Sequence, residues 1–250
     1  MTTGTQASRM HAVVQAIAMY HPSFAEEIQG CTPAEISRLQ GVLGQPLPLP
    51  YTEFLQLMGH GTGPLVLFQD SDVFDFNPVL AYHSNKEFPR PPGRYLLFGL
   101  AEDDPYYDFY LDCGALEPQV VRFPTPETVE EFPRVIDRLD WLASSLYEFI
   151  FSKAYFNLHR SLFPYKGSLT TPPERPISFE QIELPLRKLG FTRHPQSSAA
   201  VLYYERPTCN VVLSQFVGSP VSVSLAAYDR RELLKVSDIL VQQLHLITPR

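Results

Sequence analysis

Between residues 9 and 19 the apolar positions Met10, Val13, Val14, Ile17 and Ala18 recur at the three-to-four-residue spacing of an amphipathic helix. A more strongly signalled helix follows. Thr32 stands at its N-cap, Pro33 at its first position and Glu35 three residues after the cap; Ile36, Leu39, Val42 and Leu43 form its apolar face, and Gly44 stops it. A stiff QPLPLP connector leads to a third helix, opened by Pro50, presenting Tyr51, Phe54, Leu55 and Met58 and closed by Gly59.

Beyond Gly59 the apolar period shortens toward two. Runs at 65–68 (LVLF), 95–98 (YLLF), 107–111 (YDFYL) and 119–123 (QVVRF), separated by Gly, Pro, Asn and Asp clusters, predict an antiparallel meander. Alternation in YDFYLD places Tyr107, Phe109 and Leu111 on one face and Asp108, Tyr110 and Asp112 on the other, as in a sheet with one solvated side. Thr128 with Glu131 predicts a capping box. One long helix is expected after it through Val135, Leu139, Leu142, Leu146 and Phe149, with Pro133 breaking its first turn.

Residues 164–177, with four prolines plus Gly, Ser and Thr, read as a linker. Beyond it, Ser178 and Gln181 cap a helix running to Leu189, kinked at Pro185. Strand-like runs at 200–205, 209–217 and 221–228 follow, and Asp229 with Glu232 caps a last helix carrying Leu233, Leu234, Ile239, Leu240 and Leu244. The expected fold class is α+β. Residues 1–163 make a binding domain with an antiparallel sheet flanked by helices, 164–177 a linker, and 178–250 a small α-β-β-β-α domain, small enough that packing against the first is expected.

Composition adds limits. At 44% hydrophobic and 12% aromatic residues the 250-residue chain can bury a core, and no apolar run approaches the ~18–20 residues that cross a bilayer, so no membrane partner is expected. MTTGTQASRM lacks the basic and apolar segments of an export signal; with Cys31, Cys113 and Cys209 odd in number and far apart, the expectation is reduced thiols in a cytoplasm. The net charge of −7 is unevenly spread. Residues 60–120 hold ten acids against three bases, whereas 165–250 hold seven against ten. An acidic centre repels phosphates, which argues against nucleic acid, and attracts a cationic protein.

The candidate chemistry follows that charge. AEDDPYYD sets Glu102, Asp103 and Asp104 beside Tyr106 and Tyr107, carboxylates for a partner's Lys and Arg next to rings that offer contact area at low entropy cost. QDSDVFDFN spaces Asp70, Asp72 and Asp75 like part of a calcium loop, but Asp75 stands where such a loop needs Gly and Ala81 where it needs Glu. GHGTGP at 59–64 lacks the Lys of a phosphate-binding loop, and the histidines show no HExxH and no i, i+4 pair. Cys113 beside Asp112 is a poor nucleophile, and no GxSxG elbow occurs. No catalytic residue, metal or cofactor is therefore expected; a metal-assisted hydrolase on the 70–75 acids stays open as an alternative.

From Ile36 to Gly59 the order ISRLQGVLG, then QPLPLP, then YTEFLQLMG resembles the SUKH superfamily (Smi/Knr family). The likeness continues through Phe98-Gly99, Tyr110-Leu111-Asp112, Val120-Val121 and the helical segment from Thr128, over about residues 29–150. Gln40 stands where the family commonly carries Glu, and Gly59-His60 where Asn-Gly is usual. The resemblance implies a non-enzymatic binding module, since many bacterial members resemble immunity proteins that occlude toxin domains, often nucleases, while others are regulatory interaction proteins. On the immunity reading the partner is a basic toxin domain, bound by Asp70, Asp72, Asp75, Glu102, Asp103 and Asp104 with Tyr82, Tyr106 and Tyr107 as anchors. The alternative is a regulatory or scaffolding protein without a toxin. Residues 165–250 resemble no family.

Overall fold

The computed structural model describes residues 8–69, 73–102, 106–175, 177–216 and 219–249. The chain divides into two compact units between residues 157 and 158, ahead of the proline-rich stretch expected as the linker.

In the first unit, helices α1 (Arg9–Ala18), α2 (Phe24–Glu27), α3 (Pro33–Leu43), α4 (Leu49–Met58) and α5 (Phe76–Ser84) precede strands β1 (Tyr95–Gly99), β2 (Tyr107–Asp112) and β3 (Gln119–Pro124). A short helix α6 (Phe132–Ile136), strand β4 (Asp140–Ala143) and helix α7 (Leu146–Ala154) complete it. The sheet is antiparallel in the order β1-β2-β3-β4. The expected capping box starts α3: the Glu35 N–H donates to Thr32 Oγ1 at 3.3 Å, and the Thr32 N–H donates to Glu35 Oε2 at 2.8 Å. Gly44 closes it in the left-handed conformation, φ 68°.

Three expectations give way here. Residues 65–68 form no strand, although Leu65 and Leu67 are buried; the Thr62 hydroxyl and the Asn157 amide donate to the carbonyls of Leu65 and Val66 in place of a ladder. The single long helix after Thr128 is two helices with β4 between them. Trp141 and Ala143 pair with Val121 and Val120 of β3, and Ser145 restarts the helix by accepting the Glu148 N–H while the Glu148 carboxylate accepts from Ser144 N and Oγ. Helical spacing of Leu139, Leu142 and Leu146 is coincidental with a strand followed by a cap.

The third correction concerns β2, whose second face is not solvated. Phe109 packs with Phe74 and Phe98, and Phe98 meets Phe149 of α7. On the opposite face Tyr110 clusters with Val79 and Tyr82 of α5, Val121 and Phe123 of β3, and Phe132 of α6. Asp108 and Asp112, on that same face, are buried. Asp112 is neutralised by Arg94, whose Nε and Nη2 donate to its two oxygens at 2.6 and 2.7 Å, and it also accepts the Gly114 N–H.

The second unit contains β5 (Tyr165–Thr170), α8 (Phe179–Lys188), β6 (Thr192–Arg193), β7 (Val201–Arg206), β8 (Cys209–Ser214), β9 (Ser222–Ala227) and α9 (Arg230–Leu244), with an antiparallel sheet in the order β5-β9-β8-β7-β6. Half of the expected linker is thus a sheet strand: Tyr165–Thr170 runs along β9, pairing Gly167 with Leu225 and Leu169 with Val223. Among the described residues the unit has five strands rather than three. Both expected helices are present, α8 with the Ser178–Gln181 capping box and Pro185 inside it, and α9 with Asp229 at its N-cap. Ile182 and Leu186 of α8 and Leu233, Val236 and Leu240 of α9 bury one sheet face through Leu202, Val211, Leu213, Val223 and Leu225.

Candidate functional site

Three carboxylates of the acidic centre, Glu87, Glu102 and Asp108, line a groove of about 1000 Å³ in the first unit. One wall is α5 with the loop after it, through Pro78, Ala81, Tyr82, Glu87, Phe88 and Pro89. The opposite side comes from the ends of β1, β2 and β3, through Leu100, Ala101, Glu102, Tyr106, Asp108, Thr125, Pro126 and Glu127. The helix forming the wall was not anticipated. Its signals are nonetheless in the sequence: Asp75 accepts the Asn77 N–H at 2.8 Å as N-cap, Pro78 sits in the first turn, and Phe76, Val79, Leu80 and His83 recur at helical spacing.

Backbone bonds hold the groove's rims. Val73 and Leu100 exchange two hydrogen bonds of 2.9 Å, and the Thr125 N–H donates to the Tyr106 carbonyl at 2.9 Å. Tyr82 is buried; its hydroxyl donates to the Pro89 carbonyl at 2.8 Å and its ring stacks on Phe88. That leaves Phe88 and Tyr106 as the large exposed rings, 48% and 53% accessible. Glu87, Glu102 and Glu127 are exposed around them, and Asp108 lies in the floor, accepting the Ala101 N–H at 3.1 Å. Burial, then the Asp108 charge, pushes the Tyr82 phenol well above its ordinary pKa; the same two causes act on Tyr110, with Tyr82 adding to them. The groove therefore pairs apolar walls with a negative potential, and the described residues lining it include no Lys or Arg.

The residues expected to bind a partner separate accordingly. Glu102, Tyr106 and Tyr82 come together at the groove, Tyr82 as a supporting wall rather than an exposed anchor. Tyr107 does not line it; its hydroxyl accepts from Arg138 at 2.9 Å and its ring lies under Arg122. Asp75 lines a smaller cavity of about 290 Å³ with Met58, Leu65, Leu67 and Phe74. Asp70, Asp72, Asp103 and Asp104 lie outside the described residues. Glu87, Glu127, Asp108 and Phe88 were not singled out from sequence, because they reach the groove from separate loops and strands.

Metal-capable side chains meet elsewhere. Among the described residues one group of three, Cys31, Glu35 and His60, brings its donor atoms together. Burial, then the charges of Glu35 and Asp75, pushes the Cys31 thiol up to about 12. Cys113, unpaired and half-buried, is likewise raised by burial and then by Asp112, as its neighbour in sequence implies. No described helix is long and apolar enough to cross a membrane.

Comparison with known families places a SMI1 / KNR4 family (SUKH-1) match on residues 30–152, the segment whose helix, Leu-Pro and Tyr-x-x-Phe-Leu order carries the resemblance. The matched span includes α3 through β4, most of α7, and all the groove's residues. No curated protein and no solved structure matches the chain significantly.

Proposed function

We propose that the SMI1 / KNR4-family segment is a protein-binding module without catalytic activity, and that the groove between α5 and the strand ends receives a basic, partly apolar segment of a partner protein. The observation that carries this is the coincidence of two exposed rings, Phe88 and Tyr106, with Glu87, Glu102 and Glu127 around one concavity. Aromatic anchors supply most of the energy at such surfaces, and surrounding carboxylates set orientation and encounter rate. Buried Asp108 strengthens the negative potential at the floor.

The family includes immunity proteins, and the partner best suited to this groove is a cationic toxin domain, blocked by occlusion. A nuclease fits the charge argument, because a surface built to hold phosphates is positive. Affinity capture from the native host, with the wild type and with E87K/E102K/E127K side by side, tests this. The reading expects a basic protein held by the wild type alone, whose toxicity on expression is relieved by the wild type and not by the variant. A partner retained equally by both, or one whose expression harms no cell, contradicts it.

A further inference from the structure

We propose that Cys31, Glu35 and His60 form a zinc site that fastens the start of α3 to the turn after α4 in the first unit. Cys31 Sγ, a Glu35 carboxylate oxygen and a His60 ring nitrogen all lie within 4.8 Å of one another. One tetrahedral Zn²⁺ with bonds of about 2.0–2.3 Å reaches all three after small side-chain adjustments. The donors come from two places in the fold: Cys31 and Glu35 at the start of α3, just before it and in its first turn, and His60 in the turn after α4.

The second bonds these residues make point the same way. Glu35 uses Oε2 for the α3 cap, which leaves Oε1 facing His60 Nε2 at 3.0 Å. Asp75 uses Oδ1 to cap α5, which leaves Oδ2 3.9 Å from His60 Nδ1. Nε2 toward Glu35 and Nδ1 on the side of a second carboxylate is the orientation a metal-bound imidazole takes; at 3.9 Å Asp75 is beyond hydrogen-bond reach, and a small side-chain shift would bring it onto the far N–H as an outer partner. The backbone N–H of Cys31 is fixed on the Leu55 carbonyl at 2.8 Å. Gly59 leaves the space that Sγ occupies, since a Cβ there would overlap it. His60 is held edge-on against Phe76, ring centroids 5.6 Å apart. Its side chain stays 17% exposed and that of Glu35 35%, so an ion reaches the donors from solvent.

The donor set selects the metal. Thiolate and imidazole favour Zn²⁺ over Mg²⁺ or Ca²⁺, which prefer oxygen alone. On binding, the Cys31 S–H bond breaks, its proton leaves to solvent and the sulfur lone pair makes the Zn–S bond. Neutral His60 gives its Nε2 lone pair and Glu35 a carboxylate oxygen, so the two negative charges balance the ion, and the fourth position is open to water. The site would tie α3 and the α4 turn to Asp75 at the head of α5, the helix that walls the groove. It stands on different residues from the partner groove and does not depend on it.

The full-length protein, stripped of metal, is titrated with Zn²⁺ and with Co²⁺ in parallel with C31S, E35Q and D75N. Gln at 35 preserves the capping box and Asn at 75 preserves the cap, so both variants keep the fold. The proposal expects one Zn²⁺ per chain, a rise in Tm with Zn²⁺ but not Mg²⁺, and a sulfur-to-cobalt charge-transfer absorption that C31S removes. D75N weakens Zn²⁺ about tenfold as an outer-partner change does, and E35Q weakens it further. If no sulfur-to-cobalt absorption develops, or E35Q and C31S bind Zn²⁺ as the wild type does, the cluster is an ordinary His60–Glu35 ion pair beside a buried thiol and the proposal fails.

Discussion

The rings of Tyr82 and Phe88 stack with centroids 5.2 Å apart and planes within 10°. The two residues differ sharply in exposure, one buried and one half open. Tyr82 thus carries the load of the wall, and Phe88 presents a pre-positioned face to whatever enters the groove. Phe88→Ala is expected to leave Tm nearly unchanged and to weaken partner binding about tenfold or more, as truncation of an aromatic anchor does. Tyr82→Phe removes the bond to the Pro89 carbonyl and costs about 1 kcal/mol in stability. Urea denaturation and calorimetric titration separate the two effects.

Arg94 and Asp112 give a second contrast. Asp112 is buried while the Arg94 side chain is 60% exposed. Burial would raise the Asp112 carboxyl, but the Arg94 hydrogen bonds, the Gly114 N–H and the Arg94 charge together hold it below 3.8. Arg94→Ala is expected to destabilise the fold near neutral pH, by less than the loss of a fully buried charged bond because water screens the arginine. A carboxyl lowered by folding stabilises above its unfolded pKa, and that stability is lost as pH falls through the folded value. The difference between wild type and R94A in urea midpoints should therefore shrink below pH 3.8 and vanish once both states are protonated.

His83 titrates with the opposite chemistry. Buried on α5, it sits 3.0 Å from the Leu97 carbonyl through Nε2, and burial lowers its pKa from 6.5 against the pull of that bond, with the Arg90 charge adding to the lowering. The folded protein keeps it neutral while the unfolded chain protonates it, so stability is full above pH 6.5 and declines as pH drops below it. His159 and His194 are lowered by burial as well and contribute in the same direction. His83→Gln keeps a donor without a titrating group. Its Tm should fall less than that of the wild type between pH 7 and pH 5; an equal fall in both proteins contradicts the assignment.

Much of the first unit was legible because its signals are local. The Thr32–Glu35 box, Pro33, Gly44 and the Tyr51/Phe54/Leu55/Met58 face each declare themselves within one or two helical turns. What could not be read depends on distant partners. Trp141 belongs to a strand only because Val121 lies alongside it, and Tyr165–Thr170 becomes an edge strand because β9 offers it a ladder. The same holds at the groove: Glu102 and Tyr106 are neighbours in sequence, whereas Glu87, Phe88 and Glu127 join them through the return of the chain after α5 and β3. Asp108 looked solvated because alternation cannot show that α5 and α6 cover its face.

Gly30 tests the packing of the matched segment. A Cβ at this position would overlap the Gln56 carbonyl in the backbone of α4. Helix backbone cannot swing aside as a flexible side chain does, so Gly30→Ala is expected to cost about 1–3 kcal/mol or more. Thermal unfolding of the variant checks this, with Gly41→Ala, where a Cβ meets nothing within 4 Å, as the neutral or mildly stabilising control.

The central claim is that the acidic groove steers a cationic protein onto Phe88 and Tyr106. Its most direct test is the association rate of the captured partner with wild type and with E87K/E102K/E127K, measured by stopped flow across a salt series. The account predicts a steep fall of the wild-type rate with salt, and a variant at least about tenfold slower at low salt with that dependence flattened. Equal rates and equal salt slopes for the two proteins would contradict it.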